Sequence, residues 1–375
     1  MVDNSLHRGV EDIAVTETEL SDIDGENGSL IIRGIPIKVL ANNATFEECC
    51  YLLFNDRLPT ETQLATFQKR LSEHRQLPDR VSTLLSRAAA EAVHPMDAVR
   101  MGVAALDLDG KPPAEQAVRL VAVLPTIVAA YWRYRAGEAP VEPRTELRHA
   151  ENYLYMHTGT EPEPAVVDAL EAYLIAVIDH GLNASTFVAR SIVSTESDLV
   201  SAITGAVGAL KGPRHGGAPG PVLETLRTVA TTGSPTASVE SVLESGNRLM
   251  GFGHRVYRTR DPRAAVLASV AERLDTHTDG STLFETASSF EAVAREKLAA
   301  HHPDRRLETN VEFYTAVVLD GIDIPPALFT PTFAVSRVVG WTTHCLEELE
   351  DPKLVRPTAR YTGKRDRGWT PRSDR

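Results

Sequence analysis

From residue 45 onwards the chain reads as one helix-sized segment after another, and that succession leaves few folds open. Thr45 stands where a helix N-cap belongs, with Glu48 three residues later in capping-box spacing, at the head of FEECCYLLF. Further helices are expected over about residues 60–74, 78–92, 95–106 and 114–134, and helix-sized segments recur after Arg144 and after Pro164. Val166, Leu170, Tyr173 and Val177 repeat every three or four positions, with Ala, Ile and Leu between them, so that helix is expected to be buried on most sides. The only convincing β region is residues 10–40, where SLIIR (29–33) follows DIDGENG. There Gly25 and Gly28 can make the turn of a short hairpin. The expected class is therefore mainly α, with a small N-terminal β-hairpin.

Residues 198–210 (DLVSAITGAVGAL) place Ala202, Gly205, Ala206 and Ala209 on one side, which fits ordinary core packing or a tight subunit interface. Flexible breaks are expected at 136–143 (AGEAPVEP), 231–239 (TTGSPTASV) and 275–282 (DTHTDGST). The tail from Lys353 carries eight basic residues against Asp366 and Asp374, which suits an acidic surface of a partner subunit or a loose end.

A chain of 375 residues, 42% hydrophobic, has enough apolar material for two domains, or for one domain with a large insertion. Its 51 acidic residues against 39 basic ones exclude general nucleic-acid binding, which rests on neutralising phosphates. Only 7 of the basic residues are lysine, which fits a salt-rich cytosol or genome composition equally. Cys49, Cys50 and Cys345 form neither a disulfide framework nor a CxxC metal pattern. The N-terminus lacks the apolar core of a signal peptide. Residues 120–132 form an apolar run interrupted by Pro125, too short for a membrane span and expected as a kinked, buried helix. A soluble, cytoplasmic protein without membrane or nucleic-acid partners is the expectation.

Against this acidic background, GFGHRVYRTRDPR (251–263) concentrates Arg255, Arg258, Arg260 and Arg263 behind His254. The simplest reason for such a cationic knot is an anionic ligand held by forked guanidinium donors; the alternative is a solvated basic loop. Two more histidines lie beside glycines near helix ends: His180 in DHGLNASTF and His215 in LKGPRHGGAPG. A metal site is the competing reading, but separations of 35 and 39 residues match no short ligand motif. Glu312, between Val311 and Phe313, sits in an apolar setting that raises a carboxylate's pKa and suits it to act as a base. Arg337 interrupts the apolar run FAVSRVVGW (333–341), where a buried cation needs an anion, structural or bound. Arg356 follows in VRPTARY.

Taken together and in order, SDIDGENGSLIIRG, TFEECCYLLFNDRLPT, DHGLNASTF, GPRHGGA, GFGHRVYRTRDPRA, NVEFY and the SRVVGW helix resemble the citrate synthase family, from Arg8 to about residue 363. The resemblance implies a two-domain helical fold. In it residues 1–211 and 318–375 make a large domain with a C-terminal arm, and 212–317 a small domain that closes over the substrates. It implies an acyltransferase of the tricarboxylic acid cycle that condenses acetyl-CoA with oxaloacetate and water, without cofactor or metal, working as a homodimer. Position by position it casts His215 as the donor to the thioester carbonyl, His254 as the group that binds and protonates the oxaloacetate ketone, and Glu312 as the base. His180, Arg263 and Arg337 would hold oxaloacetate, and Arg356 would reach it from the neighbouring subunit. Leu249, Met250, Gly251, Phe252 and Gly253 would form the backbone wall beside the CoA adenine, with Arg258 and Arg260 as CoA-phosphate contacts.

Three positions depart from the pattern of the family: Glu312 where aspartate is usual, Arg214 where leucine is common beside His215, and Pro219 where asparagine is common. Arg214 favours a neutral His215 if its charge lies close, and is a surface residue if it points away. Propionyl-CoA, as in 2-methylcitrate synthases, is the alternative substrate, since one methylene is worth only ~1–3 kcal/mol in a pocket. A non-catalytic binding paralogue is the third possibility.

Overall fold

The computed structural model describes Leu6 and residues 8–10, 13–217, 219–277 and 283–375. Near the N-terminus, β1 (Ser21–Asp24) and β2 (Ser29–Ile32) pair antiparallel in the register Ser21 to Ile32 and Asp24 to Ser29. A two-residue third strand, β3 (Ile35–Pro36), which the sequence did not announce, completes the sheet on the far side of β2. Among the described residues the longer elements after it are all helices: α1 (Ile37–Asn43), α2 (Phe46–Asn55), α3 (Glu61–Ser72), α4 (Asp79–Ala90), α5 (Pro95–Ala104), α6 (Pro113–Arg135), α7 (His149–Thr158) and α8 (Pro164–Ala176). Then come α9 (Ala184–Val193), α10 (Leu199–Leu210), α11 (Pro219–Thr232), α12 (Pro235–Glu244), α13 (Pro262–His277), α14 (Phe284–His301), α15 (Val311–Gly321) and α16 (Phe329–Glu350).

Local chemistry sets these boundaries. Thr45 caps α2 through a full capping box: Glu48 N–H donates to Thr45 Oγ1 at 3.2 Å and Thr45 N–H to Glu48 Oε2 at 2.7 Å. Prolines open α5, α6, α8 and α12, where a missing N–H costs nothing. Pro219 likewise begins α11, which is structural ground enough for its presence.

Two helices make the centre. Helix α6 packs against α4, α5, α7 and α16, and is the one helix among the described residues long and apolar enough to cross a membrane. Here 83% of its apolar window is buried inside the fold. Helix α16 is buried almost continuously from Phe329 to Cys345, wedged among α6, α8, α9 and α10. The small-residue side of α10 faces its own neighbour: a Cβ at Gly205 would lie 2.4 Å from Ile192 Cδ1 of α9, so core packing accounts for that glycine. Cys49, Cys50 and Cys345 are buried and unpaired. Of the expected breaks, 136–143 is a loop and 231–239 narrows to Gly233–Ser234 between two helices. At 275–282, the first three residues continue α13 and the rest lie outside the described residues. The C-terminal segment from residue 351 onwards is exposed throughout and, apart from a short 3-10 turn at Arg372–Asp374, has no regular structure.

Candidate active site

Three loops and two buried arginines form the site. The first loop follows α8, where the chain leaves the helix at Ala176 and turns through Gly181 (φ +54°) before Asn183 caps α9. This places His180 at 7% exposure, its Nε2 3.1 Å from the Tyr257 hydroxyl. The second loop carries His254. Its ring lies 5.5 Å from that of His180 and 4.9 Å from that of Tyr257. His254 Nδ1 accepts the backbone N–H groups of Val256 (3.0 Å) and Tyr257 (3.2 Å), so the proton of the neutral ring sits on Nε2, which is left as a donor. The third loop, between α10 and α11, carries His215. Its Nε2 lies 2.8 Å from Ser185 Oγ. Ser185 also accepts from Trp341 Nε1–H at 3.0 Å and has Asn183 Oδ1 at 2.8 Å. One serine proton thus has two acceptors; given to His215 Nε2, it leaves the imidazole proton on Nδ1.

All three imidazoles are held neutral. Burial, reinforced by Arg337, brings His215 down to about 4; burial and Arg263 bring His254 to about 4. His180 is pushed well below its usual value by burial, then by Arg263, His254 and Arg337. Arg337 therefore acts on His215 and His180, while Arg214 is exposed and is not among the charges that shift His215. The surface reading of Arg214 is the one the structure supports.

Arg263 and Arg337 are 3% and 1% exposed, yet they are held differently. Arg263, in the first turn of α13, is gripped by fully buried Asp261 through Nε–Oδ1 (3.0 Å) and Nη2–Oδ2 (2.7 Å). Arg337 donates Nε–H to the Val177 carbonyl at 2.8 Å and lies 4.6 Å over the Phe333 ring, but its buried Nη2 has no partner. Burial lowers its pKa to about 10, and Asp179 is the main charge opposing that fall. The Tyr173 hydroxyl, also buried and unpartnered, faces the same group of charges: Glu312, Arg337 and Arg263 each act on it. A buried cation with an unspent donor calls for an anion that is not part of the fold.

Glu312 lies in the first turn of α15, where Asn310 Oδ1 accepts its backbone N–H at 3.0 Å. Burial raises its carboxyl to about 7, against the pull of Arg263 and Arg337. The direction expected from the apolar neighbours is the one found. Asn310 also ties Glu312 to the His254 loop: its Nδ2–H donates to Gly253 O at 2.9 Å and its backbone N–H to Gly251 O at 2.9 Å. Asp261 completes the tie, taking Val311 N–H at 3.3 Å while it holds Arg263. Asp261, Asn310, Asn183 and Ser185 were not singled out in the sequence. An acid two residues before a buried arginine marks Asp261, and an Asx residue at a helix start marks Asn183 and Asn310; Ser185 carries no such signal.

The remaining candidates divide. Phe252 bridges to Thr309 and packs on Phe313 at 5.3 Å, and a Cβ at Gly251 (φ +86°) would meet the Phe313 ring at 2.9 Å. Leu249 is buried and Met250 half-buried, with Gly253 (φ +78°) leading into His254. Arg258 is exposed. Arg260 is engaged by Glu291 at 3.0 Å and lies over the Tyr314 ring. Arg356 lies in the exposed C-terminal segment. Cavities of about 500 Å³ beside α3 and α7 and about 320 Å³ beside α2 and α3 contain none of these residues. Among the described residues no group of His, Cys, Asp and Glu is arranged to hold a metal ion.

The family model for the citrate synthase C-terminal domain matches residues 9–358. The chain belongs to the citrate synthase family. It is 40% identical to a citrate synthase of Haloferax volcanii over 99% of both chains, and 37% identical to a 2-methylcitrate synthase of Mycobacterium tuberculosis over 96% of this chain and 92% of that one. Its structure superposes with a TM-score of 0.88, at 29% identity, on a citrate synthase of Thermoplasma acidophilum in complex with carboxymethyl coenzyme A and oxaloacetate, covering 98% and 99% of the two chains. The mainly helical class with a small sheet is that of the family, and the protein is an acyltransferase.

Proposed function

We propose that the protein condenses acetyl-CoA with oxaloacetate and water to give citrate and CoA, as an entry step of the tricarboxylic acid cycle. The observation that carries this reading is Arg337: 1% exposed, its Nη2 unpaired, between neutral histidines and a carboxyl of raised pKa. Its free donors, with those of Arg263 and His180, match the two carboxylates of oxaloacetate. Arg356 of a second copy supplies a further cation, which makes the working form a homodimer. His254 Nε2–H faces the ketone oxygen and donates its proton as the new bond forms.

Acetyl-CoA brings a methyl group of very weak acidity. Glu312 takes its proton while His215, once Ser185 turns its hydroxyl proton from Asn183 Oδ1 to Nε2, gives the Nδ1–H to the developing enolate oxygen. Neutral imidazoles suit both tasks, since each gives up a ring proton without having first to hold a charge in a buried site. Leu249, Met250, Gly251, Phe252 and Gly253 provide a backbone wall for the adenine. Arg258, exposed, is the better placed phosphate contact, because Arg260 would first have to leave Glu291. Residues 212–317 close over the substrates against 1–211 and 318–375, keeping water from the enol until citryl-CoA is hydrolysed. No cofactor or metal enters any of these steps.

Purified protein given acetyl-CoA and oxaloacetate is expected to release free CoA thiol. Silence with both acetyl- and propionyl-CoA would refute the proposal. The likeness to a 2-methylcitrate synthase supports a second reading, in which propionyl-CoA is the better substrate. The ratio of kcat/KM for the two thioesters separates them, and a clear preference for acetyl-CoA excludes the second.

A further inference from the structure

The N-terminal hairpin has no part in the roles assigned above, yet it touches two of the three histidine loops. At one end of β1, Ser21 Oγ–H donates to Asp179 Oδ2 at 2.7 Å, and Ser21 Oγ accepts the Gly181 N–H at 3.0 Å. Gly181 is in the left-handed region, and a Cβ there would lie 3.1 Å from Ile23 Cδ1. Strand β1 thereby pins both neighbours of His180. Asp179 is fully buried and is steadied from α16 as well: His344 Nε2 lies 3.3 Å from Oδ1, and a Cβ at Gly340 would sit 2.4 Å from the same oxygen.

At the other end of β1, the turn into β2 meets the residues that follow His254. Arg258 N–H donates to Gly25 O at 2.8 Å. A Cβ on Gly25 would lie 2.2 Å from Val256 O, and one on Gly28 2.4 Å from Thr259 Oγ1. These glycines serve more than the turn, because no side chain fits between it and the loop. Val256 also donates its amide to His254 Nδ1, so the turn presses on the residue that orients that ring.

We propose that the hairpin is a positioning element of the oxaloacetate site. Ser21 and Gly25, at either end of β1, hold His180 and His254 at the spacing the substrate requires. The ladder between β1 and β2 makes the strap stiff, so displacement at one end changes the 5.5 Å separation of the two rings. The inference rests on the assignment of those histidines to oxaloacetate.

The test is calorimetric titration of oxaloacetate into the intact protein, with the KM for acetyl-CoA and the thermal midpoint measured alongside. Gly25→Ala is expected to weaken oxaloacetate binding about tenfold, within the ~100-fold that an ångström of misplacement can cost. Ser21→Ala is expected to weaken it about threefold, the scale of one hydrogen bond, and Ser21→Thr to restore it. Glu26→Ala, on the exposed side of the same turn, should match the wild type. The KM for acetyl-CoA should stay within about twofold in Ser21→Ala, Ser21→Thr and Glu26→Ala, none of which alters the Gly25 carbonyl that holds the Arg258 backbone.

Oxaloacetate affinities within twofold of wild type in both Gly25→Ala and Ser21→Ala would overturn the inference alone. So would a fall in thermal midpoint with no change in either substrate. A wild-type protein that does not bind oxaloacetate would remove the functional assignment, and the inference with it.

Discussion

Arg263 and Arg337 are two buried guanidiniums on opposite terms with their surroundings. Arg263 is doubly bonded to Asp261, which also accepts the Arg263 and Val311 backbone N–H groups, so charge and donors are largely satisfied within the protein. Arg337 has one carbonyl, one aromatic face and a distant carboxylate, with Nη2 left over. The first arginine spends most of its donors on the loops around it; the second keeps Nη2 unspent. Two such cations divide the work of an anion site, because one that spends most of its donors on its neighbours fixes the loops and has fewer left to offer, and one that keeps them does not build structure.

The largest effect that tests this contrast is on stability. Arg263→Met leaves the Asp261 carboxylate buried without its counter-ion, and is expected to cost about 3–5 kcal/mol in urea unfolding. Arg337→Met removes a buried cation that lacks a close counter-ion, and is expected to change stability by less than about 1 kcal/mol, or to raise it. Equal losses in the two variants would break the comparison.

The next effect is on turnover. Glu312, under the influence of both arginines, is the one carboxyl of the site with its pKa raised into the working range. Glu312→Gln is expected to reduce kcat by ~10²–10⁴, the usual worth of a general base, with oxaloacetate binding retained. Turnover near the wild-type rate would remove Glu312 from the chemistry.

A third, smaller effect is on pH dependence. A base with a pKa of about 7 must be deprotonated to act, so kcat/KM for acetyl-CoA should rise through pH 7 and level off above it. Between pH 6 and pH 8 the gain should be about tenfold, and a flat profile over that range would count against the assignment.

The smallest effect is again on stability. The folded state holds the Glu312 proton more tightly than the unfolded chain does, with a pKa of about 7 against the ordinary 4.5. Stability is therefore lost as pH rises from 4.5 through 7, and Glu312→Gln should raise the thermal midpoint at pH 8, with the gain shrinking towards pH 4.5. A lower midpoint at pH 8 would mean that the carboxylate is structurally supported there after all.

Much of this was legible in the sequence, and for identifiable reasons. The core helices announce themselves by apolar period and caps: Thr45 and Glu48 form the expected box, and the predicted segments near 60–74, 78–92, 95–106 and 114–134 became α3 to α6. Arg337 was conspicuous because a charge in FAVSRVVGW has to be explained. What escaped notice depends on contacts between distant stretches. Asp261 matters because α15 starts beside it 50 residues later, and Ser185 because His215 and Trp341 arrive from two other elements. Gly25 and Gly28 read as turn residues, and only the packed structure reveals the loop pressed against them. Arg260, one of four neighbouring arginines, could not be told from its fellows until Glu291 was placed beside it. Strand β3 has two residues, too few for any periodicity.

The central claim is that Arg337 keeps its guanidinium unsatisfied for a carboxylate of the substrate. Calorimetric binding of oxaloacetate to the wild type and to Arg337→Met tests it most directly. The account predicts saturable binding to the wild type and a loss of at least about 2 kcal/mol in the variant, the scale of a charge-assisted hydrogen bond. Equal affinity in a folded Arg337→Met variant would contradict it.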